Sequence, residues 1–182
     1  MPLLRTLLRI IRTAGSVRDL LLAKKLGRFL FALQTIPPEE RQAFHDSLVT
    51  RVERRRVGEA LLLLLDRLDD MGKPELVARV FRALIRGQVD RPTFQLMGSA
   101  IDRLHIPHLT ALIDFYSDQA SRPSVTVADR DVYQALSFAG LVRVEARGDQ
   151  GGLFDPSMAG ATLSYERNEL GKRFVEIITD SS

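Results

Sequence analysis

At 182 residues, with 45% apolar and 27% charged side chains, the chain is long enough to bury a sizeable core and lies outside the composition of disordered segments. It has no cysteine, which excludes disulfides, thiolate metal sites and a cysteine nucleophile and suits a reducing cytoplasm. The net charge is +3, yet residues 1–35 carry seven Lys or Arg against Asp19 alone, so any attraction to an anionic surface is expected at the amino end and not across the whole protein.

Residues 2–13 are strongly amphipathic: Leu3, Leu4, Leu7, Leu8, Ile10 and Ile11 share one helical face, and Arg5, Arg9 and Arg12 gather opposite. Such a face docks on protein, on a second copy or on an anionic membrane, and packing against protein is the expectation favoured here. The segment's arginine-rich, acid-poor character also resembles an organelle presequence. Gly15 breaks the pattern, and Ser16 with Asp19 approximates a capping box that opens a helix through about Leu33. Arg9, Arg12, Arg18, Lys24, Lys25 and Arg28 interrupt every window long enough to span a bilayer, so no spanning helix is expected.

Pro37, Pro38, Glu39 and Glu40 start a third helix, expected to run to roughly Arg55. The five consecutive leucines Leu61 to Leu65 then point all round a helix over 57–70, which predicts the central helix of a bundle. Gly72 and Pro74 punctuate the next, whose Leu76, Val77, Val80, Phe81, Leu84 and Ile85 keep the helical period up to Gly87. Asp90 and Pro92 begin another, with Phe94, Met97, Ala100, Ile101 and Leu104 as its stripe, and Pro107 separates it from one bearing Leu109, Leu112, Ile113 and Tyr116.

Near residue 121 the composition changes through Ser121, Pro123 and Ser124. A helix over 129–139, a strand from Leu141 to Ala146, a glycine-rich stretch over 147–160, a strand over 161–166 and a closing helix over 170–178 follow the order of a winged-helix motif. The predicted fold is therefore mainly α, an irregular multi-helix bundle followed by a small winged-helix-like α+β unit, organised as 1–35, 36–120 and 121–182.

Several clusters suggest chemistry, and each has a plainer explanation. Arg51, Arg54, Arg55 and Arg56 could hold phosphates, but at the end of a helix, as expected here, they favour the dipole and find partners in Glu53 and Glu59. Asp66, Asp69 and Asp70 share a face, with Arg67 and Arg103 available to neutralise them. His105 and His108 flank Pro107 in a turn, where they could serve as ligands or a pH switch, and helix capping and turn packing explain them equally well. No nucleophile elbow, phosphate-cradling loop, dinucleotide fingerprint or H-E-x-x-H occurs, so no catalytic residue, cofactor or metal is expected and the protein is read as a non-enzyme. Nucleic-acid contacts would fall to Arg130, Arg143 and Arg147, but Asp129 and Asp131 set two acids against one base on the helix that would enter a groove.

Leu112 to Tyr116, the Leu136, Gly140, Leu141, Val142 turn into a strand, and the Leu170, Gly171, Phe174 pattern are similar to the carboxy-terminal half of the abortive-infection alpha proteins of prokaryotes. Asn168 stands where those proteins often carry Thr. The resemblance covers about 70 residues, implies a role in phage defence and carries over no catalytic residue. The functional expectation is a cytoplasmic adaptor or effector acting through protein contacts or self-association. A winged-helix DNA-binding regulator and a peripheral effector at the inner membrane face, held by residues 2–13, are the alternatives.

Overall fold

The computed structural model describes residues 16–48, 50–117, 129–147 and 162–180. Within these the chain is mainly α-helical with one two-stranded antiparallel sheet near the carboxy end. It divides into two units between Asp102 and Arg103. The expected amphipathic helix over 2–13, the linker near 121 and most of the glycine-rich stretch lie outside the described residues.

In the first unit, α1 (Val17–Ala32) opens on the expected cap: the Ser16 hydroxyl accepts the Asp19 amide at 3.2 Å and donates to the Asp19 carboxylate at 2.8 Å. The single helix expected over 38–55 is instead two, α2 (Pro38–Ser47) and α3 (Arg51–Arg67). Thr50 makes the break. Its hydroxyl accepts the Glu53 amide at 3.1 Å while its own amide donates to the Glu53 carboxylate at 3.1 Å, a complete capping box.

The central helix of this unit is α4 (Lys73–Ile85), and not the leucine-rich segment. Its residues Leu76, Val77, Val80, Phe81 and Leu84 are all buried, and the Phe81 ring lies 5.6–5.8 Å from those of Phe29, Phe44 and Phe94, drawing α1, α2 and α5 (Arg91–Arg103) onto one aromatic cluster. α3 buries only one side. Leu65 is inaccessible, whereas Leu62 and Leu63 stay 45% and 67% exposed, so the leucine run is not wrapped by neighbours. On α5 the expected stripe of Phe94, Met97, Ala100 and Ile101 is buried, and Gly98 gives the Leu64 side chain of α3 room to approach.

The second unit comprises a 3-10 turn (Ile106–His108), α6 (Leu109–Ser117), α7 (Arg130–Phe138), β1 (Val142–Arg147), β2 (Thr162–Arg167) and α8 (Glu169–Thr179). Gly140, at φ +81°, ends α7 in the left-handed conformation that glycine adopts without strain, and turns the chain into β1. The strands pair in register from Val142 with Arg167 to Arg147 with Thr162. Leu112, Phe115, Leu136, Leu141, Tyr165 and Phe174 form the core. α6 packs on α8 and so belongs to this unit, ahead of the composition break near 121.

Candidate docking groove

Many of the basic side chains have structural work at helix ends. The last carbonyls of a helix lack intrahelical donors, and a cation supplies one. Lys25 Nζ donates to the Asp66 carbonyl at 3.0 Å, Arg54 to Leu48 at 3.0 Å, Lys73 to Asp102 at 2.8 Å and, in the second unit, Arg167 to Phe115 at 2.9 Å, while Arg28 donates at 2.9 Å to the Met71 carbonyl in the loop before α4. Arg18 pairs with the Asp66 carboxylate, whose pKa is lowered first by that hydrogen bond. Over residues 16–35 the positive charge that the sequence offers to an anionic surface is thus largely engaged, and Lys24 remains an exposed cation there.

The aspartates are engaged too, by partners other than those expected. Arg18 takes Asp66, Lys73 takes Asp69, the Asp70 carboxylate accepts the Gly72 amide at 2.6 Å, and Arg67 pairs with Asp102. No group of three acidic or imidazole side chains able to hold a metal occurs among the described residues. His105 and His108 stack edge to face at 5.5 Å between ring centres.

The arginine cluster is where structure and sequence part most sharply. The break at Thr50 puts Arg51 and Arg54 in the first turn of α3 and Arg55 and Arg56 in the next, at the positive end of the helix dipole. The dipole therefore opposes these cations. Beside Arg56 lies a groove of about 250 Å³, lined on its apolar part by Val57 and Ala60 of α3, Leu84 of α4 and Phe94 of α5, and on its polar part by Glu53, Arg56, Arg91 and Gln95. Glu53 sits between: its carboxylate lies 3.8 Å from Arg91, and its pKa is lowered first by the Thr50 amide and then by Arg91 and Arg56. Sequence reading missed Arg91, because nothing in the linear order links the first residue of α5 to the second turn of α3.

The residues expected to meet a partner or membrane, Leu3, Leu4, Arg5, Leu7, Leu8, Arg9, Ile11 and Arg12, lie outside the described residues. Of those expected to meet nucleic acid, Arg130 is exposed at the start of α7 and its carbonyl accepts the Tyr165 hydroxyl at 3.3 Å. Arg143 is exposed on β1 opposite Glu166, and Arg147 ends that strand opposite Thr162. A glutamate facing Arg143 across the ladder opposes phosphate binding at that position. α7 also exposes Phe138, at 73%.

No protein-family model matches the chain, and no curated protein or solved structure was found to be similar to it. Among the described residues no helix is long and apolar enough to cross a membrane.

Proposed function

We propose that the protein is a non-catalytic docking module, an adaptor or effector whose groove between α3, α4 and α5 takes an acidic segment of a partner protein through an apolar anchor. One observation carries this reading. Arg56, in the second turn of α3 where the helix dipole opposes a cation, borders with Arg91 a cleft whose remaining lining is apolar apart from Glu53 and Gln95. Arg54 and Arg55 have partners in the Leu48 carbonyl and the Glu59 carboxylate, whereas Arg56, placed against the local field at the rim of the groove, is accounted for by a ligand of opposite charge. The apolar lining suits a Leu or Phe side chain, with carboxylates on either side meeting Arg56 and Arg91.

The test uses a fluorescein-labelled peptide of alternating Glu and Asp around a central Leu-Phe pair, titrated with the full chain and read by fluorescence anisotropy. Binding that weakens with added salt, with Arg91→Glu and with Ala60→Trp, which fills the groove from an exposed position, is the expected result. Equal binding of a peptide with every acid replaced by Lys would sink the reading. So would retention of duplex DNA that Arg91→Glu abolishes, since the same arginines would then be reading phosphate.

A further inference from the structure

The side of α3 turned away from the core is an unusual surface. Val52 is 58% exposed, Leu62 45% and Leu63 67%, and between them stand Arg55 and Glu59, joined at 2.7 Å and themselves largely exposed. Val52, Arg55, Glu59 and Leu62 follow one another at steps of three, four and three residues, the spacing that keeps side chains on a single seam of a helix. At 3.6 residues per turn they and Leu63 fall within an arc of about 100°.

This seam is its own complement when reversed. Laid antiparallel on a second copy, with the two-fold axis crossing the seam at the level of residue 57, it sets Val52 against Leu62 and Arg55 against Glu59, each pairing occurring twice. Antiparallel helices mate in this alternating way, and a two-fold interface requires that residue i meet j while j meets i. The parallel arrangement sets Arg55 on Arg55 and Glu59 on Glu59, which like-charge repulsion opposes. Charge order thus selects both the occupant and its direction.

We infer that α3 is a homodimerisation helix, and that its outward seam of Val52, Arg55, Glu59 and Leu62 pairs antiparallel with the same seam of a second copy. A contact of one 17-residue helix per chain is small, so the dimer is a weak one that forms with rising concentration. It does not depend on the groove, which uses a different side of α3 together with α4 and α5.

Charge reversal in the full chain tests this, with mass followed by sedimentation across a concentration series and folding checked by circular dichroism. Arg55→Glu places Glu against Glu twice, and Glu59→Arg places Arg against Arg twice, so each variant alone is expected to weaken association by roughly tenfold. Mixing the two variants restores both opposite-charge pairs in a heterodimer, and so does the double variant R55E/E59R with itself. Recovery in the mixture and in the double variant is the expected result. A wild-type chain that stays monomeric at millimolar concentration overturns the inference, as do single variants that associate like wild type or a mixture that fails to recover. Both substitutions are at exposed positions, and Leu62→Ala, which leaves the charges alone, must weaken association as well. Arg91→Glu, which bears on the groove, is expected to leave the dimer unchanged, so the two proposals fail separately.

Discussion

Gly171 and the hydroxyl of Tyr116 occupy what would otherwise be the same space: a Cβ at residue 171 would lie 2.1 Å from Tyr116 Oη and 2.0 Å from the Leu141 carbonyl oxygen. The hydroxyl needs that position. It donates to the Leu141 carbonyl at 2.7 Å and accepts the Asn168 amide at 3.0 Å, tying α6 to the turn before β1 and to the start of α8. Gly171→Ala is expected to destabilise the protein by about 3 kcal/mol, because the obstacle includes backbone that cannot swing aside. Tyr116→Phe removes the hydroxyl and leaves the Asn168 amide without this acceptor, at a cost of about 1–2 kcal/mol. Urea denaturation of both variants checks the order, and a Gly171→Ala chain as stable as wild type would contradict it.

The same tyrosine gives the fold an alkaline limit. Burial raises the pKa of Tyr116, and that of Tyr133 likewise, above the ordinary value of about 10. A group whose pKa is raised on folding holds its proton to higher pH in the native state than in the unfolded one. Its contribution to stability is therefore whole below about pH 10 and is lost as pH rises through and beyond it. Melting temperature measured between neutral pH and pH 11 is expected to fall on the alkaline side, and the fall is expected to be shallower in Tyr116→Phe.

The acid side works with the opposite sign. The Asp66 pKa is lowered first by the hydrogen bond from Arg18, and that of Glu53 first by the Thr50 amide. Stability from such groups is present above the ordinary carboxylate range near 4 and is lost as pH falls through it and below. Asp66→Asn is expected to lower the melting temperature at neutral pH, where the carboxylate's contribution is present, and to flatten the acid limb as the variant and wild type converge below about pH 4. An acid limb identical to that of wild type would show that the Arg18 pair contributes nothing.

Lys73 is a cation placed inside. Its side chain is 1% exposed, its stem sits within the first unit, and its ammonium meets the Asp69 carboxylate and the Asp102 carbonyl. Lys73→Met keeps the apolar stem and loses both bonds, so the Asp102 carbonyl at the end of α5 is left without that donor. The expected loss is about 1–3 kcal/mol. Lys73→Ala adds a cavity and is expected to cost more than Lys73→Met, by about 1 kcal/mol or more. Chemical denaturation of the pair separates the hydrogen bonds from the packing.

Much of the helix order was legible because caps and stripes agree. Ser16, Gly87, Asp90 and Gly140 mark element ends in the sequence and in the structure, and the stripes of α4, α5 and α8 are buried as their spacing predicts. The break at Thr50 was missed although Thr50 and Glu53 spell a capping box, because the charged residues around it carry no apolar period to interrupt. That one miss reversed the reading of the arginines, from favoured to opposed by the dipole. The leucine run misled for a different reason. Composition gives the number of apolar side chains on a helix, but the number of neighbours is a tertiary property, and α3 has neighbours on one side only. Asn168 shows the same limit in miniature. Its side-chain oxygen accepts the Gly171 amide at 2.7 Å and its side-chain nitrogen donates to the Gly140 carbonyl at 3.0 Å, two bonds that a Thr hydroxyl could not make together with the same reach.

Arg51 separates a structural from a binding role for the cluster. It is the first residue of α3, exposed, and placed where an anion would complement the dipole. If the arginines served the fold, replacing one would cost stability. The dipole argues the reverse: Arg51→Glu is expected to raise stability by about 0.3–1 kcal/mol at low ionic strength, with the gain shrinking as salt is added. The same variant is expected to weaken binding of the acidic Leu-Phe peptide through the long-range field alone, because Arg51 lies outside the groove lining on another face of α3. Opposite signs in a thermal melt and in the anisotropy titration mark a charge kept at the expense of stability. A variant that is both less stable and equally competent to bind would assign Arg51 to the fold and leave the groove without its electrostatic argument.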